Sequence, residues 1–404
     1  MSGCAARKPL LLSLLAAAGL VFASPALAQE WDYGSRNTDL APAFETQTRA
    51  PKMESGIRLR VETLAHGLDH PWGIAALPDG GYLVSERTGA LRHIGATGAV
   101  GAPIAGVPQV LARGQGGLLD VALAPDFASS RLVYLTYAKP LGGGFSATAA
   151  ARGRLSADLQ RLDDVTDIFV QTPPSRTEAH YGSRIVPAGP HVWITTGEHS
   201  SPRERGFAQD LATGYGKVIR LMADGSVPPD NPFVGQPGVA PEVWSFGHRN
   251  IQGAARRPGQ GQLWTLEHGP KGGDELNLIE RGANYGWPLV SYGENYSGTA
   301  IGEGASRAPG ITEPRYFWDP VIAPGGFVFY RGAMFAGWQG DIIAASLTPG
   351  GVVRLRLNGD TVVGEERFLH GQMRIRDIEI APDGAILALV DAADGALLRL
   401  TPAE

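Results

Sequence analysis

The chain has 404 residues, of which 43% are hydrophobic, 55 are glycine and 30 are proline, and its net charge at pH 7 is −5. This length allows a large packed domain, and an acidic balance without a long basic run argues against nucleic acid or an anionic membrane as partners. Glycine and proline punctuate turns, so the composition favours many short strands joined by many turns.

The first 28 residues have the pattern of a secretory signal peptide. The basic pair Arg7 and Lys8 precedes an apolar run over 10–22, and residues 26–28 read Ala-Leu-Ala, with small residues at the cleavage positions. An uncleaved N-terminal membrane anchor fits less well because the apolar run is short for a bilayer span. We therefore predict cleavage before Gln29 and a soluble, periplasmic mature protein without stable membrane insertion.

Residues 29–56 are polar, contain proline and show no regular periodicity. Such a segment is typical of a linker or a loosely docked arm. The compact domain is therefore predicted over residues 57–404.

One pattern recurs along the compact domain, consisting of an apolar strand, a turn rich in proline, aspartate or glycine, and a second apolar strand. Its copies begin at Trp72, Leu118, Ser183, Gln252, Gly325 and Ile375. Because each copy is accompanied by a further strand, the pattern predicts an all-β fold, a six-bladed β-propeller of four-stranded antiparallel blades. An irregular β-sandwich is the alternative, and the repetition disfavours it.

The string IRLRVETLA, which begins at Ile57, has the pattern of a strand but lies before the first repeat. A closed ring of blades needs a device that covers its last edge strand. We expect this N-terminal strand to close the ring by pairing with the last blade around Ala396 to Leu400.

Residues that break the repeat are densest between Val243 and Tyr296. Gly269 and Pro270 form a turn whose backbone carbonyls could face outward, and the acidic residue Asp274 follows. Calcium prefers oxygen ligands and accepts backbone carbonyls, so this turn is a candidate calcium site, although acidic turns are commonly just solvated. Two carbonyls do not complete a coordination shell, so a cofactor or water would have to supply the remaining oxygens.

Three further features are candidates for a ligand site. Arg374 and Arg376 lie two apart on a predicted strand, which is costly unless an anion neutralises them; two solvated surface arginines are the alternative. His180 and Glu198 could pair across a hairpin as a general base and its orienting carboxylate. Gln115 lies in a glycine-rich loop that lacks the strand and helix of a dinucleotide-binding motif.

Together these strings resemble the soluble quinoprotein sugar dehydrogenases, and most closely the periplasmic aldose sugar dehydrogenases. The resemblance runs from about Leu64 to Leu400. It rests on the strings LDHPWGIAALPDG, GQGGLLDVALAPDF, GHRNIQG, EHGPKGGDELNLI, ANYGWP and RIRDIEIAPDG.

The resemblance implies a six-bladed propeller whose top face carries pyrroloquinoline quinone (PQQ) on a calcium ion. By matching motif, His180 would be the general base and Glu198 would orient it, where the glucose dehydrogenases carry Asp. Arg249 and Asn250 would contact the quinone near its reactive carbonyl, and Gln115 would line the same pocket.

The same matching implies two calcium ions. Gly269 and Pro270 would give their carbonyls to the catalytic ion, and Asp274 would lie beside it. Glu275 and Tyr285 match a second site of structural character.

The cofactor's carboxylates would bind Arg374 and Arg376, which supplies the anion that these arginines call for. One position departs from the family, because Thr348 stands where a lysine commonly contacts the quinone. We expect the loss of that contact to weaken quinone binding and Thr348→Lys to tighten it, unless a neighbouring cation such as Lys271 already fills the gap.

The implied activity is oxidation of aldose sugars at the anomeric carbon to lactones, with the electrons passed to an external acceptor. A calcium-dependent propeller hydrolase of the lactonase type and a non-enzymatic secreted carbohydrate-binding propeller are the alternatives. The partners expected are a sugar and the electron acceptor, and the protein would be a monomer or a homodimer.

Overall fold

The computed structural model describes Met1 and residues 31–403, so the predicted signal peptide lies, apart from Met1, outside the described residues. In the described part the fold is all-β, with 24 strands in six four-stranded antiparallel sheets. Helical structure there is limited to a short α-helix, Phe127–Ser130, and a 3₁₀-helix, Arg205–Gln209. No described helix is long and apolar enough to cross a membrane. The predicted six-bladed propeller is confirmed.

The strands are numbered in chain order. Blade 1 contains β2 (Pro71–Ala76), β3 (Tyr82–Glu86), β4 (Leu91–Ile94) and β5 (Val100–Pro103). Blade 2 contains β6 (Leu118–Leu123), β7 (Leu132–Gly142), β8 (Phe145–Leu155) and β9 (Leu162–Val170). Blade 3 contains β10 (Gly182–Ala188), β11 (His191–Thr196), β12 (Lys217–Met222) and β13 (Val243–Phe246). Blade 4 contains β14 (Ile251–Arg256), β15 (Leu263–Glu267), β16 (Asp274–Leu278) and β17 (Tyr316–Trp318). Blade 5 contains β18 (Pro324–Phe329), β19 (Ile342–Ser346), β20 (Gly351–Asn358) and β21 (Thr361–Phe368). Blade 6 contains β22 (Ile375–Ile380), β23 (Ile386–Val390), β24 (Gly395–Pro402) and β1 (Leu59–Leu68).

The N-terminal strand β1 closes the ring. It pairs antiparallel with β24, with Leu59 opposite Pro402, Val61 opposite Leu400 and His66 opposite Ala396. Because β1 covers the outer edge of the last blade, the prediction made from its pattern and position is confirmed.

The first strand of each repeat lies innermost, and these six strands surround the propeller axis. Glycine at selected positions lets them approach each other. A Cβ atom on Gly253 would lie 2.6 Å from the carbonyl oxygen of Gly325, and a Cβ on Gly325 would lie 2.1 Å from that of Arg376. These distances leave no room for any side chain, so glycine is required where the inner strands meet.

A buried ion-pair network divides the axial channel. The Arg184 guanidinium donates from Nη1 to Asp120 at 2.9 Å and to Asp377 at 2.8 Å, and it lies 4.4 Å from the centre of the Trp72 ring. Charges buried in this way are stable only when they are paired and hydrogen-bonded. The network therefore separates the two ends of the channel from each other.

The N-terminal arm, residues 31–56, is attached by specific contacts rather than loosely. The ring of Trp31 lies 4.6 Å from the guanidinium of Arg367. The fully buried Gln47 donates from its side chain to the carbonyl of Pro314 at 2.9 Å. The arm thus follows the outside of blades 4 and 5, because polar side chains along it find partners there.

Candidate active site

A cavity of about 310 Å³ opens at the end of the axis where the inner strands begin. Six of the residues predicted from the sequence line it: Gln115, His180, Arg249, Asn250, Arg374 and Arg376. A larger cavity, about 430 Å³, opens at the opposite end of the axis and is lined by none of the predicted residues. We take the first cavity as the candidate site because the predicted residues line it, although the second cavity is larger.

His180 and Glu198 form a buried hydrogen-bonded pair at the wall of this cavity. Nδ1 of His180 lies 2.8 Å from Oε1 of Glu198, whose other oxygen accepts the backbone N–H of Ser200 at 2.7 Å. Burial, reinforced by the positive charge of Arg249, holds the pKa of His180 well below 6.5, and burial raises the pKa of Glu198 to about 7. The imidazole is thus neutral at pH 7. When Nδ1 carries the proton and donates it in a hydrogen bond to Glu198, Nε2 has a free lone pair and can act as a base.

Two of the predicted cofactor-binding residues also hold the base in place. The Gln115 side-chain oxygen accepts the backbone N–H of His180 at 2.8 Å. The Asn250 side-chain oxygen accepts the backbone N–H of Gly182 at 3.0 Å. His180 has a φ of +48°, a conformation that is costly for a residue other than glycine, so these contacts help to fix its orientation.

Arg249 reaches the loop predicted to bind calcium. Its Nη1 donates to the carbonyl oxygens of His268 at 3.0 Å and Gly269 at 2.6 Å. The guanidinium lies 5.2 Å from the centre of the Trp287 ring, and its Nε is buried without a described partner. The structure thus places a cation on one of the two carbonyls expected to be calcium ligands.

Asp274 lies behind that loop and does not line the cavity. One carboxylate oxygen accepts the backbone N–H of Gly269 at 2.8 Å, and the other accepts those of Ile322 at 2.9 Å and Ala323 at 2.7 Å. Burial raises the pKa of Asp274 to about 7. Its contacts orient the turn that carries Gly269 and Pro270, which is a different role from direct contact with a cofactor.

Arg374 and Arg376 share an internal counter-ion that the sequence did not reveal. Asp391 accepts a hydrogen bond from Arg376 and lies 3.6 Å from Arg374. Burial raises the pKa of Asp391, but the charge of Arg376, the hydrogen bonds from Arg376 and His70 and the charge of Arg374 together bring that pKa to about 2. One carboxylate against two guanidinium groups leaves a net positive charge, and Nε of Arg376 is buried without a described partner. The pair therefore still favours an anionic ligand.

Thr348 lies beside the cavity and not in its wall. It is exposed, and its hydroxyl is 3.4 Å from Nη1 of Arg374, which donates more closely to the carbonyl of Leu347. Lys271, the cation considered from the sequence, pairs instead with Glu294 at 2.6 Å. The positive charge nearest to Thr348 in these contacts is thus Arg374.

Glu275 belongs to a separate buried cluster. Its carboxylate accepts a hydrogen bond from Asn277 at 3.2 Å, and burial followed by the negative charge of Glu267 holds the pKa of Glu275 well above 4.5. Glu267 in turn lies 2.9 Å from Nδ1 of His248. Two adjacent buried carboxylates require a shared proton or a cation between them.

Tyr285 lies on the far side of His248 in this cluster, with the two rings stacked at 4.5 Å. Its hydroxyl donates to one backbone carbonyl and accepts one backbone N–H, so it is already satisfied. Any contribution of Tyr285 to a metal site would therefore come from its backbone. Within residues 31–403, no three His, Cys, Asp or Glu side chains converge as a metal-binding group.

Several residues of the cavity were missed from the sequence. Their positions are His70, Trp72, Arg87, Gln252, His268, Tyr296, Ala323, Leu347 and Asp391. His70 and Trp72 stand in the string LDHPWG, which is part of the family resemblance, but the string alone does not indicate a role for either residue. His70 lies 3.1 Å from Asp391, which makes a second pair of histidine and carboxylate on the cavity wall.

The fold and this site define a six-bladed propeller with a cation-rich axial cavity beside a buried pair of histidine and glutamate. The family model described as Glucose / Sorbosone dehydrogenase matches residues 68–399, and the chain belongs to that family.

Relatives agree with this assignment over most of their length. The chain is 43% identical over 349 residues to the aldose sugar dehydrogenase YliI of Escherichia coli (strain K12), covering 85% of this chain and 93% of that protein. The crystal structure of the soluble aldose sugar dehydrogenase from Escherichia coli in the apo-form is similar, with a TM-score of 0.82, 42% identity and coverage of 85% and 100%. The PQQ-bound form of the aldose sugar dehydrogenase from Streptomyces coelicolor has a TM-score of 0.69, 28% identity and coverage of 87% and 100%.

Proposed function

We propose that the protein is a PQQ- and calcium-dependent dehydrogenase that oxidises aldose sugars at the anomeric carbon to lactones and passes the electrons to an external acceptor. The observation that carries the proposal is the convergence of His180, Arg249 and Arg376 on one axial cavity. The PQQ-bound relative from Streptomyces coelicolor supports the choice of cofactor.

The cavity suits an anionic, polar cofactor. Arg249 and Arg376 line the cavity, and Nε of each is buried with no hydrogen-bond partner among the described residues. Unpaired buried donors are costly, and two guanidinium groups with such donors at one cavity favour a ligand that brings acceptors. The carboxylates and carbonyls of PQQ are such acceptors.

Gly269 and Pro270 would hold the catalytic calcium through their carbonyl oxygens, with Asp274 fixing the turn. Since two carbonyls are a small part of a calcium shell, quinone and ion would complete one site together. When bound, the quinone accepts hydride and the calcium polarises its carbonyl. A second, structural calcium would lie at Glu275, where the orphaned side-chain oxygen of Asn277 is a further ligand candidate.

The residues of the chain divide the remaining work. His180 would take the proton of the anomeric hydroxyl on Nε2, while Glu198 holds Nδ1 and stabilises the imidazolium that forms. Arg249 would place its positive charge where negative charge develops as hydride leaves the anomeric carbon. Arg374 and Arg376 would bind the cofactor's carboxylates and so fix its orientation.

The N-terminal signal is part of the proposal. Export with cleavage before Gln29 would place the propeller domain of residues 57–404 in the periplasm as a monomer or homodimer. Mass spectrometry of periplasmic protein tests the cleavage, and a mature chain that still begins before Arg7 contradicts it.

The test of the activity is an aldose screen with an artificial electron acceptor, with PQQ and calcium added separately and together. We expect turnover only when both are present, and loss of roughly a hundred- to ten-thousand-fold in turnover for His180→Ala with quinone binding retained. His191→Ala is the matched control, since this histidine lies on blade 3 outside the cavity. Turnover that does not depend on quinone, or lactone hydrolysis instead of sugar oxidation, would contradict the proposal.

A further inference from the structure

A buried carboxylate next to blade 4, that of Asp319, is one of the groups that hold the N-terminal arm. The fully buried side chain of Asp319 accepts the backbone N–H groups of Asn37 at 2.9 Å and Thr38 at 3.0 Å. It also accepts the side-chain amide of Asn37 at 2.6 Å, and the hydroxyl of Thr38 lies 3.2 Å from it and can donate to it. A buried carboxylate is tolerated only when donors surround it, and the arm supplies them.

The same carboxylate touches the loop over residues 269–274. A Cβ atom built on Gly272 would lie 2.6 Å from Oδ1 of Asp319, and Gly272 has a φ of +82° that favours glycine. The next residue, Gly273, donates its backbone N–H to the carbonyl of Trp318 at 2.8 Å. The segment that carries Asp319 is therefore the surface on which the loop rests.

The arm also contacts the segment on the other side of the loop. The hydroxyl of Thr38 lies 3.1 Å from the carbonyl oxygen of Tyr292. Two residues on, Glu294 and Lys271 exchange a pair of backbone hydrogen bonds of 2.9 and 3.0 Å. Thr38 thus links the two segments between which the loop is held.

We infer that the N-terminal arm is a positioning element for the calcium-binding loop, acting through Asp319 and Thr38 on the turn that presents the carbonyls of Gly269 and Pro270. This inference rests on the proposed function, because that function assigns calcium to the turn. The matched family region begins at residue 68, so the arm lies outside it. The loop needs such support because its consecutive glycines, Gly272 and Gly273, both have positive φ and little intrinsic rigidity, whereas ligands must be held within about 0.5 Å.

The experiment compares Asp319→Asn and Thr38→Val with the wild type and with Asp383→Asn, in the full mature chain. Asp383→Asn is the matched control, since it removes the same charge from an exposed ion pair with Arg399 on blade 6. Hydrogen exchange of the metal-free proteins reports on the loop, and calorimetric titration with calcium reports on the site.

We expect faster exchange in both arm variants at the arm itself, around residues 37–38, and within the propeller only at residues 269–274 and 291–294. We also expect a calcium dissociation constant raised by roughly tenfold in Asp319→Asn. The loss should appear in calcium affinity more than in turnover at saturating calcium. Wild-type exchange and affinity in both variants would overturn the inference, as would exchange that rises equally in all blades. If Asp319→Asn does not fold, Thr38→Val decides. A wild type that binds no calcium even when PQQ is present refutes the proposed function, while the exchange pattern still decides whether the arm holds the loop.

Discussion

Nη1 of Arg249 lies 2.6 Å from the carbonyl oxygen of Gly269, and it donates a hydrogen bond to that oxygen. The same oxygen is a proposed ligand of the catalytic calcium. A guanidinium and a metal ion that approach one carbonyl repel each other, so calcium at this oxygen would compete with the hydrogen bond from Arg249 and favour its release. In that position Arg249 would be free to meet the negative charge that the reaction develops.

Arg249→Ala should therefore tighten calcium binding to the quinone-free protein. A hydrogen bond from a charged group contributes about 1.5 kcal/mol or more, so its removal should lower the calcium dissociation constant by roughly tenfold. Turnover with quinone should fall at the same time, because charge stabilisation is lost. Calorimetry with Arg257→Ala as the control checks this, since Arg257 pairs with Asp360 away from the cavity. Weaker calcium binding in Arg249→Ala would show that the arginine supports the metal site.

The pH dependence of kcat/KM should report on Glu198. Burial raises the pKa of Glu198 to about 7, whereas that of His180 lies well below 6.5. The ionised carboxylate is the form that orients the base, so activity should be present above about pH 7 and fall as pH decreases through it. In Glu198→Gln this group no longer titrates, so the acid limb should move to lower pH and the maximal rate should drop by roughly tenfold or more. An unchanged limb in Glu198→Gln would assign it to another group.

Asp391 should set both stability and quinone affinity. Its folded pKa of about 2 lies below the usual 3.8, so its ion pairs stabilise the fold above pH 4, and this contribution is lost as pH falls toward 2. The shift in this pKa corresponds to a contribution on the order of 2 kcal/mol to the free energy of unfolding at neutral pH.

Asp391→Asn should accordingly lower the free energy of unfolding at pH 7 and have little effect near pH 2. It should also tighten quinone binding, because Arg374 and Arg376 lose a competing counter-ion. Denaturant titration at both pH values and quinone titration in saturating calcium measure the two effects, with Asp383→Asn as the control. Weaker quinone binding would mean that Asp391 orients the arginines more than it competes for them.

The fold could be predicted from the sequence because its information is local and repeated. Each blade carries its own strands and turns. The strand pattern that begins at Ile57 belongs to no repeat, and pairing with the last blade to close the ring was the simplest interpretation of it. That His180, Arg249 and Arg376 share one cavity could also be anticipated, because the strings that contain them resemble those of the sugar dehydrogenases and the resemblance implies one cofactor site.

The remaining parts of the site depend on contacts between distant segments. Asp391 looks like an ordinary turn residue until the fold brings it to Arg376, and Asp319 has no apparent role until the arm surrounds it. The placement of Asp274 behind the loop depends on backbone N–H groups nearly fifty residues away, at Ile322 and Ala323. Periodicity and spacing do not reveal such partners.

The last prediction concerns Thr348, where the chain departs from the family pattern. The sequence predicts that Thr348→Lys tightens quinone binding by restoring a charge, unless a neighbouring cation already fills the gap. The structure favours the second possibility, because Nη1 of Arg374 lies 3.4 Å from the Thr348 hydroxyl and a lysine there would meet a like charge. We now expect Thr348→Lys to leave the quinone dissociation constant in saturating calcium unchanged or to raise it, and the double variant Thr348→Lys with Arg374→Ala to recover wild-type affinity. Thr348→Val is the control for loss of the hydroxyl alone. Tighter binding in the single variant would instead show that Arg374 does not replace the family lysine.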